Sequence, residues 1–122
     1  MRKTNSTIRG IKTVSKKSCL HKELCDQLNK TYSKKNADYG DSFAMTRAEF
    51  GNQAILIRLS DKFFRLKTLL QSGSAAQVSD ESIEDTLLDL ANYCLMEVVE
   101  RKNDRAVVKT FSNEAINEEN NN

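Results

Sequence analysis

Arg58, Asp61 and Arg65 stand at i, i+3 and i+7 within Ile57-Arg58-Leu59-Ser60-Asp61-Lys62-Phe63-Phe64-Arg65. On a helix turning about 100° per residue, these three occupy an arc of roughly 60° beside the apolar face. Two guanidinium forks suit phosphate oxygens, and a carboxylate between them orients one fork or holds a metal. Lys62 adds a further cation. The same spacing also builds an exposed ion-pair ladder, contributing about 0.2–0.5 kcal/mol per pair.

The complement lies downstream. Asp85 and Asp89 are one helical turn apart, and Asn92 follows at i+7 from Asp85. Glu84, Asp85 and Asp89 form a candidate Mg²⁺ set, with Asn92 on the nucleotide side, because Mg²⁺ takes few protein oxygens and completes its shell with water and substrate phosphates. Glu84 falls at a helical angle between Ala91 and Leu95, so it is expected to be paired, metal-bound or neutral. Acids in a first turn are also favoured by the helix dipole, which accounts for Glu81, partly for Asp85, and not for Asp89.

A third candidate is the segment Lys35-Asn36-Ala37-Asp38-Tyr39-Gly40-Asp41-Ser42-Phe43. Tyr39 or Phe43 could stack on a base while Asp38 meets a base edge or hydroxyl; the alternative is a tight turn with its aromatics in the core. His21 is the only histidine and reads as a surface residue. Gly-rich phosphate loops, nucleophile elbows and HExxH are all missing from the sequence.

The elements that must carry these groups read as helices. The chain has 122 residues, no proline and four glycines, with 39% hydrophobic and 30% charged residues, which fits one helical domain. The first helix is expected from Ser15 to Lys35 on the stripe Leu20, Leu24, Leu28 and Tyr32. Asn36 to Asp41 reads as a turn, followed by a short helix with Thr46 and Glu49 at capping-box spacing. A long helix covers Gln53 to Gln71 with Ile55, Leu59, Phe63, Leu66 and Leu70 inward. Residues 72–76 read as a linker. Ser79 or Asp80 caps a last helix from Glu81 to Lys102, with Ile83, Leu87, Leu90, Ala91, Cys94 and Val98 inward. Ala106 to Phe111 is a strand or a further helical turn. The expectation is an all-α bundle of three main helices and one or two short ones. It would have a basic arm at 1–14, a domain at 15–111 and a disordered acidic tail at 112–122.

Cys19, Cys25 and Cys94 fall inside helical patterns without CxxC spacing and read as buried or semi-buried thiols. The net charge is +2. The basic arm lacks the interleaved aromatics that stack bases, so nucleic acid is not the expected partner. No run of about 18 apolar residues exists to span a membrane. A core this modest favours self-association, and a homo-oligomer in the cytoplasm is expected.

The strings Lys35 to Phe43, Ile57 to Lys62 with Arg65-Leu66, and Asp80 to Tyr93 together resemble the nucleotide modification associated domain 1 family. Those are small helical proteins frequent in bacteriophages and prophages. The resemblance spans about Leu28 to Met96 and implies an all-α nucleotide-handling protein acting in a host cytoplasm. Glu84, Asp85 and Asp89 are also similar to the last metal-binding helix of MazG-type nucleoside triphosphate pyrophosphatases. That family carries Glu-Glu-x-x-Glu on an earlier helix, where this chain has Arg58, Asp61, Lys62 and Arg65. The resemblances imply a nucleotide held by arginines and carboxylates, with Mg²⁺-dependent hydrolysis as its enzymatic form. A non-catalytic sponge for a nucleotide immune signal is the alternative. An assembly partner with no nucleotide ligand is the third.

Overall fold

The computed structural model describes residues 5–71 and 80–121, and every regular element in them is helical. Four helices follow in order: α1 (Asn5–Tyr39), α2 (Ser42–Phe50), α3 (Asn52–Gln71) and α4 (Asp80–Asn120). The expected linker at 72–76 and the cap at Ser79 lie outside the described residues. None of the described helices is long and apolar enough to cross a membrane.

The chain divides into two units, residues 1–41 and 42–122. In the first, α1 begins at Asn5, so much of the expected basic arm is helix. No proline interrupts it, and a single Gly10 weakens a helix by only about 1 kcal/mol. Its end corrects the expected turn: Asp38 and Tyr39 belong to the last helical turn. Gly40 and Asp41 then take left-handed φ of 59° and 58°. The Asp41 N–H donates to the Asn36 carbonyl at 3.3 Å, the six-to-one bond of a Schellman cap.

In the second unit, α2 and α3 are separated by Gly51 alone. Its φ is 64°, and its N–H donates to the Arg47 carbonyl at 2.8 Å, closing α2. Its own carbonyl accepts from the Ala54 N–H at 3.1 Å, opening α3. Thr46 is no cap. It lies inside α2, and its hydroxyl donates to the Ser42 carbonyl at 2.8 Å.

α3 and α4 pack along one another, and α2 packs on α3. The α3 seam is Ile55, Leu59, Lys62, Leu66 and Leu69, alternating four and three residues; Ile55 is buried and the others half-buried. Strict i+4 spacing drifts off such a seam, so the expected Phe63 and Leu70 are exposed. On α4 the inward positions are Thr86, Tyr93 and Glu97, whereas Leu87, Cys94 and Val98 are exposed. The three thiols are all exposed, contrary to expectation. Among the described residues the buried apolar side chains are Phe43, Ala54 and Ile55.

α4 does not stop at Lys102. It continues as helix through Ala106–Phe111 and through the expected disordered tail to Asn120. No glycine or proline occurs from Asp80 onward to end it.

Candidate functional site

Two contacts set the register between α3 and α4. The Lys62 Nζ donates to the Asp89 carboxylate at 2.9 Å. The Arg58 guanidinium lies over the Tyr93 ring, 5.9 Å from its centroid. Four residues toward the N-terminus on α3 thus correspond to four toward the C-terminus on α4, the relation of antiparallel helices. Continued one turn the other way, this register brings Arg65 level with Asp85 and Thr86.

Helical angles place Arg58, Asp61 and Arg65 on one flank of the α3 seam, and Asp85, Asp89 and Asn92 on the same flank of α4. The opposite flank carries Leu56, Leu59, Phe63, Leu90 and Cys94, which line an apolar groove of about 320 Å³. One side of the helix pair is therefore charged and the other apolar. The charged side is an open face within this unit. Arg58, Asp61, Arg65 and Asp85 are exposed, while Lys62, Asp89 and Asn92 are half-buried.

Glu84 departs from expectation. It is exposed, one residue and hence about 100° around α4 from Asp85, so it needs no compensating partner there. Among the described residues no three His, Cys, Asp or Glu side chains come together in a way that could hold a metal ion. Asp89 is instead engaged by Lys62.

Phe43 is core: buried, it meets the Tyr93 ring at 6.2 Å and 39°. That leaves Tyr93, which sequence reasoning passed over, as the aromatic between the core and Arg58. Asp38 and Tyr39 end α1 in the first unit, both exposed. His21 is exposed on α1, with its Nδ1 3.8 Å from the Cys25 sulfur one turn on.

A second charged assembly was also missed. Arg47 on α2 donates through Nε to Glu97 at 3.0 Å and through Nη1 to Asp104 at 2.7 Å, both on α4. The Arg101 Nε donates to the other Glu97 oxygen at 2.8 Å, and its Nη2 reaches the Asn52 side chain at 3.4 Å. The hydrogen bonds it donates to Asp104 and Glu97 hold the Arg47 guanidinium pKa above its ordinary value. Buried Glu97 thereby acquires donors from two helices. The available signal was its place at i+4 from Tyr93, an acid on the inward face of α4.

A family model described as nucleotide modification associated domain 1 matches residues 35–100. No curated protein and no solved structure matches the chain.

Proposed function

The chain belongs to the nucleotide modification associated domain 1 family, and from that premise we propose that the charged flank of α3 and α4 binds a nucleotide by its phosphates. The observation that carries this reading is the shared flank: Arg58 and Arg65 project beside Lys62, level with Tyr93 and Asp85, as the Lys62–Asp89 and Arg58–Tyr93 contacts require. Arginine forks donate in plane to phosphate oxygens, and charge-assisted bonds of this kind contribute about 1.5–3 kcal/mol each. Lys62 joins them when phosphate replaces Asp89 as its acceptor. Asn92 supplies an amide for a sugar or base edge.

Sequestration without turnover is the version that the Lys62–Asp89 pair favours. In the free protein Asp89 is bonded to Lys62 at 2.9 Å, so a metal ion has no open carboxylate pair there before the nucleotide arrives. In an infected host cytoplasm such a protein would remove a nucleotide immune signal from circulation. Hydrolysis is the second version, and the exposure of Asp85 beside Arg65 favours it. Mg²⁺ would arrive with the phosphates and be held by Asp85 and Asp89, with Glu84 on the far side of α4 left out. Bound there, it would polarise the phosphoryl group while Arg58 and Arg65 neutralise developing charge.

A thermal-shift panel of mono-, di-, tri- and cyclic nucleotides tests the reading. A ligand at 100 times its dissociation constant stabilises the fold by about 2.7 kcal/mol. Arg58→Ala combined with Arg65→Ala is expected to abolish the shift. Silence across the panel removes nucleotide binding and leaves an assembly role. Mass spectrometry of the recovered ligand, with and without Mg²⁺, separates sequestration from hydrolysis.

A further inference from the structure

We propose that His21 and Cys25 on α1 form a two-ligand chelating edge for a divalent metal ion of the Zn²⁺ class. Both residues precede the family match, which begins at residue 35, and the proposal is independent of the nucleotide reading.

The pair is a product of helix geometry. Positions four apart on α1 differ by about 40° around the axis, so both side chains leave one face a single turn apart. The helix runs from Asn5 to Tyr39 without a proline, which fixes the backbone beneath both residues. Nδ1 of His21 stands 3.8 Å from Sγ of Cys25. A tetrahedral Zn²⁺, bonded at about 2.3 Å to sulfur and about 2.0 Å to nitrogen, sets two such atoms about 3.5 Å apart. The separation already present is therefore close to one edge of that tetrahedron, and a small side-chain rotation completes it. When the ion binds, the thiol proton leaves to water. The thiolate and the neutral imidazole then each donate a lone pair to the metal.

Ligand chemistry selects the ion. Thiolate and imidazole favour Zn²⁺, Co²⁺ and Ni²⁺ over Mg²⁺, which takes oxygen ligands. Both side chains are exposed, so a hydrated ion reaches them and keeps water at its other positions. The neighbours on α1 add no third ligand. Asp26 accepts from Lys22 at 2.8 Å, and Cys19 lies about 160° around the helix from His21. Among the described residues no third His, Cys, Asp or Glu joins the pair. Open coordination positions make this an exchangeable centre rather than a closed structural one. The chelating distance exists only when this turn is helical, so binding the ion also favours helix there.

Absorption spectroscopy of the full, reduced chain titrated with Co²⁺ tests the site, with Zn²⁺ as competitor and circular dichroism reporting helicity. The wild type is expected to develop a sulfur-to-cobalt charge-transfer band that saturates at one ion per chain. Zn²⁺ should remove the band, and either ion should raise helicity. Cys25→Ser should lose the band, and His21→Ala should fail to saturate at Co²⁺ concentrations that fill the wild type. Cys19→Ser and Cys94→Ser should titrate like wild type, which separates this pair from the other exposed thiols. Leu20→His combined with His21→Leu keeps the composition but swings the imidazole about 140° from Cys25, and should bind as poorly as His21→Ala. Absence of the band from the wild type overturns the proposal. So does a band that survives Cys25→Ser, an affinity indifferent to the position of the histidine, or saturation at one ion per two chains, which would place the remaining ligands on a second copy.

Discussion

Arg47 and Glu97 are 50 positions apart in sequence, yet the arginine Nε donates to the glutamate at 3.0 Å, with the two side chains 18% and 10% exposed. The pair ties short α2 to the middle of α4, and Arg101 and Asp104 extend it. Removing one partner of a buried pair strands the other's charge, so single substitutions cost more than the pair contributes. Arg47→Met is expected to destabilise the fold more than Arg101→Met, because Arg47 serves two acids and is the less exposed. A double-mutant cycle of Arg47→Met with Glu97→Gln should give a coupling of about 1–3 kcal/mol by urea denaturation at fixed protein concentration. Additive effects would show the contact to be incidental.

Lys62 and Asp89 make a different kind of pair, partly solvated at 28% and 42% exposure. Stability should change by less than about 1 kcal/mol in Asp89→Asn, since water screens such pairs. Ligand binding should move further. Asp89→Asn releases Lys62 and is expected to tighten metal-free nucleotide binding, whereas Lys62→Met should weaken it about tenfold. Isothermal titration checks both signs, and a weaker Asp89→Asn complex would contradict the phosphate-exchange role given to Lys62.

Gly51 isolates a backbone effect. A Cβ built there meets nothing within 4 Å, so the cost of a side chain comes from its φ of 64° alone. Gly51→Ala is expected to destabilise by about 1–2 kcal/mol and Gly51→Asn by less, as asparagine tolerates left-handed backbone better. Equal losses from both, in thermal melts, would place the cost elsewhere.

On α1 the Lys22 Nζ donates to Asp26 at 2.8 Å. That hydrogen bond, with the lysine's charge, holds the Asp26 pKa below its ordinary value, and the same contact raises that of Lys22. The aspartate's contribution is complete above the ordinary carboxylate value and is lost as pH falls through the lowered one. The lysine's is complete below its ordinary value and is lost as pH rises through the raised one. Helicity of α1 should therefore be highest between the two, and Asp26→Asn should remove the acid-side decline from a circular dichroism titration. An unchanged decline in the variant would assign it to other carboxylates.

Some features of the site were legible without coordinates. Arg58, Asp61 and Arg65 share a flank because helical periodicity alone puts them there, and Asp85 with Asp89 likewise. Tyr93 was passed over because it fell outside the expected inward set of α4, and only its neighbours Arg58 and Phe43 reveal that it joins core to surface. Glu84 was over-read: its sector is apolar in the sequence, but no element of this unit covers it.

By itself the sequence determined an all-α fold class, a break near Gly40, and the side chains that travel together on each helix. These depend on local dihedral preferences and a period of about 3.6 residues, so nearby residues suffice to specify them. Only the tertiary structure decided which face became the seam. α3 offers two adjacent apolar stripes, Ile55-Leu59-Leu66-Leu69 and Leu56-Phe63-Leu70, and their hydrophobicity does not rank them. The choice rests on which stripe lets Lys62 reach Asp89 while α2 brings Arg47 to Glu97, contacts that exist only once distant segments meet.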